Sequence, residues 1–320
     1  MTQFGTPVSD AGPTTPLVSV IVPAYNSGRT IERCLGALAG QETAHRFEVI
    51  VVHSGDDDTC ARAQQALPGV RALQLGERAI PPRARNIGVQ YARGSIFAFI
   101  DSDIYVHQTW IDHVVKAMQT EYDLVCGSIE NANPHSAVSR AEQLLMFNEF
   151  MPDQPQHPSW FALSGNTALS RAAYERFGPF AEVRAAEDIV FSRRLLAAGG
   201  TILFYPELRV CHDNRTQLRP FLRNQMLVGK HTAMARRLVG FADSGGYALF
   251  ALLLPVAPLA KLGKVVIHLG RYDIGQVRHV IKQFPILLLG ICAYCVGLGV
   301  GATNKTVKSL EMATSRPGLR

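Results

Sequence analysis

The stretch Ile96-Phe97-Ala98-Phe99-Ile100-Asp101-Ser102-Asp103 decides the fold class of this chain. Five apolar residues followed by acidic ones are typical of a strand that is buried on both faces and ends at the carboxyl edge of a parallel sheet. In α/β folds ligands bind at that edge. Asp101 and Asp103 are two residues apart, so on an extended backbone both carboxylates point to the same side. The pattern predicts a divalent-cation or ligand site, and the alternative is that the acidic residues only form a turn.

The sequence around this stretch alternates between predicted strands and helices. Apolar, β-branched segments at residues 17–23, 47–52 and 70–75 are each followed by a polar loop and a segment with helical spacing. Such alternation predicts an α/β fold with a doubly wound, mostly parallel sheet flanked by helices.

Composition limits the class of protein and its partners. The chain has 320 residues, of which 47% are hydrophobic and 18% charged, so it can bury a full α/β core and still have apolar sequence left over. The formal charge of +6 indicates an anionic partner. Because the basic residues are dispersed, we expect phosphates and lipid headgroups rather than nucleic acid. The six cysteines show no disulfide framework and no apolar signal segment occurs at the amino terminus, which predicts a cytoplasmic location.

Five motifs occur in order along the chain. They are Val18-Ser19-Val20-Ile21-Val22-Pro23-Ala24-Tyr25-Asn26, residues 49–59, Ala84-Arg85-Asn86-Ile87-Gly88, Asp101-Ser102-Asp103 and Glu187-Asp188. In order and spacing, residues 17 to about 215 resemble a family 2 glycosyltransferase of the GT-A fold, membrane-associated type. The resemblance implies an inverting enzyme that moves a sugar from a nucleoside diphosphate sugar to an acceptor hydroxyl or phosphate, with Mg²⁺ or Mn²⁺ as cofactor.

The resemblance also implies catalytic and metal-binding roles. Asp188 is the expected general base, with Glu187 orienting it or the acceptor. Asp103 is the expected metal ligand, and Asp101 either a second ligand or a ribose contact. His212, which follows the last predicted strand, is either a second metal or diphosphate contact or a packed surface histidine.

A second group of residues is expected to bind the nucleotide sugar. By similarity these are Pro23, Ala24, Tyr25, His53, Arg83, Asn86, Asp101, Ser102, Gly165 and Asn166. Arg83 and Asn86 match diphosphate and nucleoside contacts, while Gly165 and Asn166 match a segment near the sugar and the acceptor. His53 departs from the family, which usually has an aspartate there against the nucleotide base, so the identity of the base stays open.

The loop after the second predicted strand contains three consecutive aspartates. Asp58 matches the family position that caps the next helix. Asp56 and Asp57 are expected to be solvated. None of the three is expected to bind a ligand.

The carboxyl-terminal third changes character. The predicted organisation is a flexible lead at residues 1–15, a GT-A domain at 16–240 and a membrane-associating helical region at 241–320. Apolar stretches at 247–260 and 285–302 flank a basic connector that contains Lys261, Lys264, Arg271, Arg278 and Lys282. We expect the first stretch to lie in the interface or re-enter, the connector to touch acidic headgroups, and the second stretch to span or lie similarly. The alternative is a helical pair that caps the soluble domain or forms a dimer contact.

Membrane attachment predicts a lipid-linked or glycan acceptor and a role in cell-envelope glycan synthesis. The expected location is the cytoplasmic face of the cell membrane, peripheral or anchored through the carboxyl-terminal region. The glutamine-arginine-arginine-tryptophan cluster of processive synthases is absent, and Arg223-Asn224-Gln225 is its nearest counterpart, which favours transfer of a single sugar. The alternatives are a nucleotidyltransferase and an inactive membrane-associated scaffold of the same fold.

Overall fold

The computed structural model describes residues 15–184, 187–238, 257–272 and 274–303. The predicted flexible lead falls almost wholly outside these residues. The described chain forms two compact units. The first unit contains residues up to 128, 156–182 and 195–210, and the second unit contains 129–155, 183–194 and the described residues from 211 onward. This division does not test the predicted domain boundary at residue 240, which stays a prediction.

The described strands alternate with helices through the first half of the chain. The strands are β1 (Val18–Ala24), β2 (Phe47–His53), β3 (Arg71–Gln74), β4 (Ile96–Ile100), β5 (Ile104–Val106), β6 (Leu124–Asn131), β7 (His157–Pro158), β8 (Asn166–Ser170) and β9 (Ile202–His212). The helices are α1 (Ile31–Ala39), α2 (Thr59–Ala66), α3 (Pro81–Tyr91), α4 (Trp110–Ala117), α5 (Ala137–Met146), α6 (Arg171–Phe177), α7 (Glu187–Ala197), α8 (Leu218–Leu238), α9 (Ala257–Tyr272) and α10 (Ile274–Thr303), with a 3₁₀ turn at Asn148–Phe150.

The strands form one sheet with the order β3-β2-β1-β4-β8-β6-β9-β5, and β7 pairs with β9. β1 lies parallel to β2 and β4, and β2 lies parallel to β3, which confirms the predicted α/β fold with its parallel sheet. β1 has β2 on one side and β4 on the other, so the carboxyl ends of β1 and β4 meet where the strand order reverses. Open α/β sheets bind ligands at such a point.

The antiparallel strand β8 extends this edge. β8 pairs with β4 so that Ile100 lies opposite Asn166. Because the two strands run in opposite directions, the residues that begin β8 lie beside the residues that end β4. This register brings Gly165 to the acidic stretch that follows Ile100.

The second unit contains the carboxyl-terminal helices. α10 packs against α5, α8 and α9. Their shared buried core consists of Ala141, Leu144, Leu145, Phe221, Val265, Leu269, Val280, Leu287, Ile291 and Cys295. Glycines let α8 and α10 approach closely, since a Cβ added at Gly229 would lie 2.0 Å from the backbone oxygen of Tyr294.

The structure describes most of the predicted basic connector and part of the predicted apolar region. The connector is helical, because Lys261 and Arg271 lie on α9 while Arg278 and Lys282 lie on α10. Within the described residues, one helical segment, Val280–Ala302, is long and apolar enough to cross a membrane. Residues 247–256 of the first predicted apolar stretch lie outside the described residues.

Candidate active site

The loops that follow β1 and β4 meet through two serines. The hydroxyl oxygens of Ser27 and Ser102 are 2.8 Å apart and share a hydrogen bond. Pro23 and Ala24 are buried at the end of β1, whereas the side chain of Tyr25 is 44% exposed. The predicted residues of this loop therefore lie at the β1/β4 edge, defined here as residues 23–27 and 101–103, and Tyr25 presents an aromatic surface there.

Arg85 holds Asp101 in place. Its Nη2 atom lies 2.5 Å from Oδ1 of Asp101, and Arg85 is only 1% exposed while the Asp101 side chain is 38% exposed. The other carboxylate oxygen faces Gly165, where an added Cβ would lie 2.9 Å from Oδ2. One oxygen of Asp101 is thus fixed by a buried cation, and the absence of a side chain at Gly165 preserves space beside the other.

Local sequence explains why Arg85 is buried. Helix α3 begins after the extended residue Ile80, with prolines at its first positions. Arg85 lies three residues before Gly88, so both face the same side of α3. A Cβ at Gly88 would lie 2.5 Å from Cγ2 of Ile21 on β1, which shows that this side of the helix packs directly on the sheet.

Asp103 is half-buried in the turn that joins β4 to β5. The backbone N–H of Ile104 donates to the carbonyl of Asp101 across 3.1 Å and closes the turn. Beneath it the thiol of Cys34 contacts the same carbonyl at 3.8 Å. Burial, together with the negative charges of Asp103 and Asp101, raises the pKa of the Cys34 thiol. The thiol therefore stays protonated, and the charge at this edge comes from the carboxylates.

The side chain of Asn166 forms hydrogen bonds within the first unit. Its Oδ1 accepts from the indole N–H of Trp110 at 3.0 Å, and its Nδ2 donates to the carbonyls of Ser128 and Leu208. The side chain is buried. Asn166 thus fixes the start of β8, its neighbour Gly165 lies against Asp101, and the expected sugar or acceptor contact stays a prediction.

Asn86 and Arg83 also have partners within the protein. The Asn86 amide donates to the carbonyl of Phe180 and accepts from the Phe180 N–H and the Tyr174 hydroxyl. Arg83 forms an exposed pair with Glu77 at 2.6 Å. The α3 residue that contacts a predicted site carboxylate is Arg85, which sequence reasoning did not select. An arginine on the packed side of a helix, in register with Gly88, was the available signal.

His53 is completely buried at the end of β2. Its Nε2 lies 3.3 Å from Oδ1 of Asp57, and its Nδ1 lies 3.5 Å from the Gly55 N–H. The ring therefore faces the aspartate loop, and the expected contact with a nucleotide base stays a prediction.

The aspartate loop differs from expectation in two positions. Asp57 accepts from the backbone N–H groups of Gly28 and Thr59, so it ties the loop after β1 to the start of α2 rather than being solvated. Although partial burial raises the pKa of Asp57, the hydrogen bonds from Thr59 and Gly28 and the nearby His53 lower it overall. Asp58 pairs with Arg62 and its side chain does not cap α2. Asp57 makes the contact to the helix that was expected of Asp58.

The predicted catalytic acids begin helix α7 in the second unit. Glu187 is buried and Asp188 is half-buried, and the Asp188 carboxylate accepts from the N–H of Ile189 at 2.8 Å. Acidic groups are favourable in a first helical turn because of the helix dipole. Shortly after the last residue of α7, Gly199 adopts a φ of 77°, which ends the helix.

His212 lies at the end of β9 and is half-buried. Its Nδ1 lies 2.7 Å from Oδ1 of Asn214. Its ring lies against the ring of Phe147, with 4.8 Å between the centroids. The imidazole is therefore held on two sides within the second unit.

A solved structure has the same fold. The mannosyltransferase PcManGT from Pyrobaculum calidifontis, in complex with GDP-Man and Mn²⁺, aligns with a TM-score of 0.57 and 17% sequence identity over 91% of this chain and 88% of that chain. At this identity the likeness shows the fold. It agrees with the sheet and the flanking helices described above.

Sequence comparisons show the family. Residues 19–178 match the model of glycosyl transferase family 2. Glycosyltransferase AglE of Haloferax volcanii is 31% identical over 299 residues, which cover 90% of this chain and 95% of that protein. A pre-mycofactocin glycosyltransferase of Mycobacterium tuberculosis is 23% identical over 278 residues, which cover 82% of this chain and 57% of that protein. This chain therefore belongs to glycosyl transferase family 2.

Proposed function

We propose that this chain transfers a single sugar from a nucleoside diphosphate sugar to a lipid-linked acceptor, with inversion at the anomeric carbon. Family membership and the similarity to AglE along nearly the whole chain support the transferase activity. The observation that carries the proposal is the arrangement of Asp101 at the β1/β4 edge. One of its oxygens is fixed by buried Arg85 and the other faces the space beside Gly165.

The acids at this edge fit a divalent cation. Asp101 and Asp103 carry two negative charges, and Arg85 compensates one of them, so the edge attracts a cation. Carboxylate oxygens suit both Mg²⁺ and Mn²⁺. The mannosyltransferase with the same fold was solved with GDP-Man and Mn²⁺. Such an ion, when bound, neutralises the charge that gathers on a departing diphosphate. We propose Asp103 as a ligand, Asp101 as a ligand or ribose contact, and His212 as a further ligand.

The remaining proposed roles follow from chemistry and family position. Asp188 takes the proton from the acceptor hydroxyl during attack on the face opposite the leaving group, and Glu187 orients it. The Arg78 guanidinium lies over the Tyr25 ring at 4.2 Å, and the exposed part of the ring offers a stacking surface for the nucleobase, beside Pro23 and Ala24. Ser102, through its hydrogen bond to Ser27, keeps the two nucleotide-side loops together.

Helix α10 supports a membrane-bound acceptor. Val280–Ala302 comprises 23 residues, and at about 1.5 Å per residue this matches a hydrocarbon core about 30 Å thick. Large apolar side chains along α10 are exposed, namely Ile281, Phe284, Leu289, Val296 and Val300. Exposed Arg278 and Lys282 lie near the start of the segment, where anionic headgroups would attract them. We therefore propose attachment to the cytoplasmic face of the membrane and an acceptor carried on a lipid.

A product assay tests this function. The purified chain would be mixed with Mn²⁺, labelled UDP-, GDP-, CDP- or dTDP-sugars, and a polyprenyl phosphate in vesicles or a soluble acceptor. We expect one donor to release its nucleoside diphosphate and to label the lipid fraction with inverted configuration. Asp188→Asn should lower the rate by about 10²-fold or more. Glu175→Gln, at an exposed carboxylate of α6, is the control and should not change the rate.

Each other outcome identifies an alternative. Release of pyrophosphate would favour a nucleotidyltransferase. A folded chain that turns over no donor would favour the inactive scaffold. Equal transfer to soluble acceptors in the absence of vesicles would contradict the lipid-linked acceptor.

A further inference from the structure

A chain of hydrogen bonds in the second unit links a backbone carbonyl to His212. The Gln143 Nε2 donates to the carbonyl of Ile129 at 2.6 Å. The Oε1 atom of Gln143 accepts from Nδ2 of Asn214 at 2.8 Å. Oδ1 of Asn214 lies 2.7 Å from Nδ1 of His212. Gln143 is 5% exposed and Asn214 is 2% exposed, so bulk water does not compete for these bonds.

The Ile129 carbonyl, at the end of this series of hydrogen bonds, determines which atom is the donor in each of them. A backbone carbonyl only accepts, so the NH₂ group of Gln143 must face Ile129 and its oxygen must face Asn214. Asn214 must then direct its NH₂ group toward Gln143 and its oxygen toward His212. Nδ1 of His212 is consequently the atom that carries the proton.

The carbonyl of Ser139 independently indicates the same orientation of the Asn214 amide. Nδ2 of Asn214 also lies 3.4 Å from the carbonyl of Ser139. Rotating the Asn214 amide by half a turn would place its oxygen against this carbonyl and against the oxygen of Gln143. Two acceptors would then face a third without a proton between them, which is unfavourable for buried groups.

The backbone around His212 is fixed as well. Its carbonyl accepts from the N–H groups of Ala132 and Asn214, at 3.0 and 2.9 Å. The neighbouring carboxylate of Asp213 accepts from Asn133 at 2.6 Å. The imidazole therefore keeps its position, and Asn214 rather than a carboxylate is the acceptor at Nδ1.

We infer that Asn214 and Gln143 are positioning residues that hold neutral His212 as its Nδ1–H tautomer and so make Nε2 the atom that binds a divalent cation. A lone pair on Nε2 attracts a cation and repels phosphate oxygens. This arrangement favours the metal over the diphosphate, the two ligand classes left open for His212. The metal role rests on the proposed function, whereas the tautomer does not.

The first experiment reads the tautomer directly. The ring nitrogens of ¹⁵N-histidine-labelled protein would be observed by NMR, without metal or nucleotide, at a pH where imidazole is neutral, and His212→Gln would assign the signal. We expect Nδ1–H in the wild type, because the Asn214 oxygen accepts at Nδ1. Asn214→Leu has similar size and no acceptor, so it should show both tautomers. If it does not fold, Asn214→Ala tests the same point with less bulk.

The second experiment measures binding of Mn²⁺ alone by electron paramagnetic resonance. Loss of a residue that orients a metal ligand typically weakens affinity about 10-fold or more, and we expect this for Asn214→Leu. His212→Gln should lose at least as much. Stoichiometric Mn²⁺ should broaden the His212 ring signals.

Three results would overturn the inference. These are an Nε2–H tautomer in the wild type, an unchanged tautomer in folded Asn214→Leu, and unchanged Mn²⁺ affinity in that variant. Failure of the proposed function would look different. A chain with the expected tautomer and Mn²⁺ affinities that turns over no nucleotide sugar would contradict the transferase proposal and support the inference.

Discussion

The β1/β4 edge and the α8/α10 interface are held together in opposite ways. At the edge, polar side chains are held by specific partners: Arg85 contacts Asp101, and Ser27 contacts Ser102. At the interface, backbones touch through glycine. An added Cβ at Gly297 would lie 2.0 Å from the Met226 carbonyl.

Buried Gln225 on α8 differs from the paired polar side chains of the edge. Neither the nitrogen nor the oxygen of its side-chain amide has a hydrogen-bond partner among the described residues. Close contact between two backbones requires small residues such as glycine, whereas a buried charge requires an opposite charge beside it. Charge compensation at the edge and close backbone contact at the interface are therefore independent features of this chain, and substitutions can test each alone.

The largest expected effect is at Arg85. Arg85→Met keeps much of the side-chain volume but leaves Asp101 without its buried cation. We expect a loss of about 100-fold in transfer rate, because a small displacement of a reacting group has that effect. We also expect a loss of about 2 kcal/mol in the free energy of unfolding. Kinetics and urea unfolding of the purified protein would measure both.

Arg62→Met is the matched control, since its pairs with Glu32 and Asp58 are exposed. Surface pairs contribute little, so the rate should change by less than about twofold. Equal losses in the two variants would contradict the distinct role assigned to Arg85.

The next effect tests the helical interface. Gly297→Ala should lower the free energy of unfolding by about 2 kcal/mol, because the new Cβ overpacks the contact with α8. Gly263→Ala, on α9, should raise it by about 0.5 kcal/mol through helix propensity, since no described atom lies within 4 Å of the added Cβ. Thermal unfolding in detergent would compare them. The same sign of change in both variants would show that backbone proximity does not stabilise this unit.

The smallest effect is a pH dependence at Asp57. Its pKa in the folded protein lies below its ordinary value of 3.8, so its contribution to stability is present above that value and is lost as the pH falls through the lower one. Asp57→Asn should cost less than about 1 kcal/mol at neutral pH and should make stability less sensitive to pH in the acid range. Urea unfolding at a series of pH values would show this. An unchanged acid profile in Asp57→Asn would contradict the role of Asp57 in tying the two loops.

Local pattern predicted the fold well because apolar periodicity and strand-helix alternation are local properties. It also selected Asp101 and Asp103, since acids directly after a buried strand are recognisable without a structure. It did not anticipate that the side-chain amides of Asn166 and Asn86 form hydrogen bonds inside the first unit. Their partners, such as Leu208 and Phe180, are distant in sequence, and hydrogen bonding of an amide depends on such contacts.

Arg85 was missed for a related reason. An arginine is ordinarily exposed, so only the partner Asp101 explains its burial. The basic residues Lys261, Arg271, Arg278 and Lys282 of the predicted connector lie on helices α9 and α10. In α9, the Lys261 ammonium lies 3.3 Å from the centre of the Tyr294 ring, a contact that sequence spacing cannot indicate.

The central claim is that the β1/β4 edge binds a nucleoside diphosphate through a divalent cation. Calorimetric titration of the purified chain with UDP, GDP, CDP and dTDP, with and without Mn²⁺, tests it most directly, with Asp103→Asn as the variant and Glu175→Gln as the control. The account predicts Mn²⁺-dependent binding of one diphosphate, retained in the control and weakened about 10-fold or more in Asp103→Asn. Equal binding by Asp103→Asn and the wild type, or no binding of any diphosphate by folded protein, would contradict it.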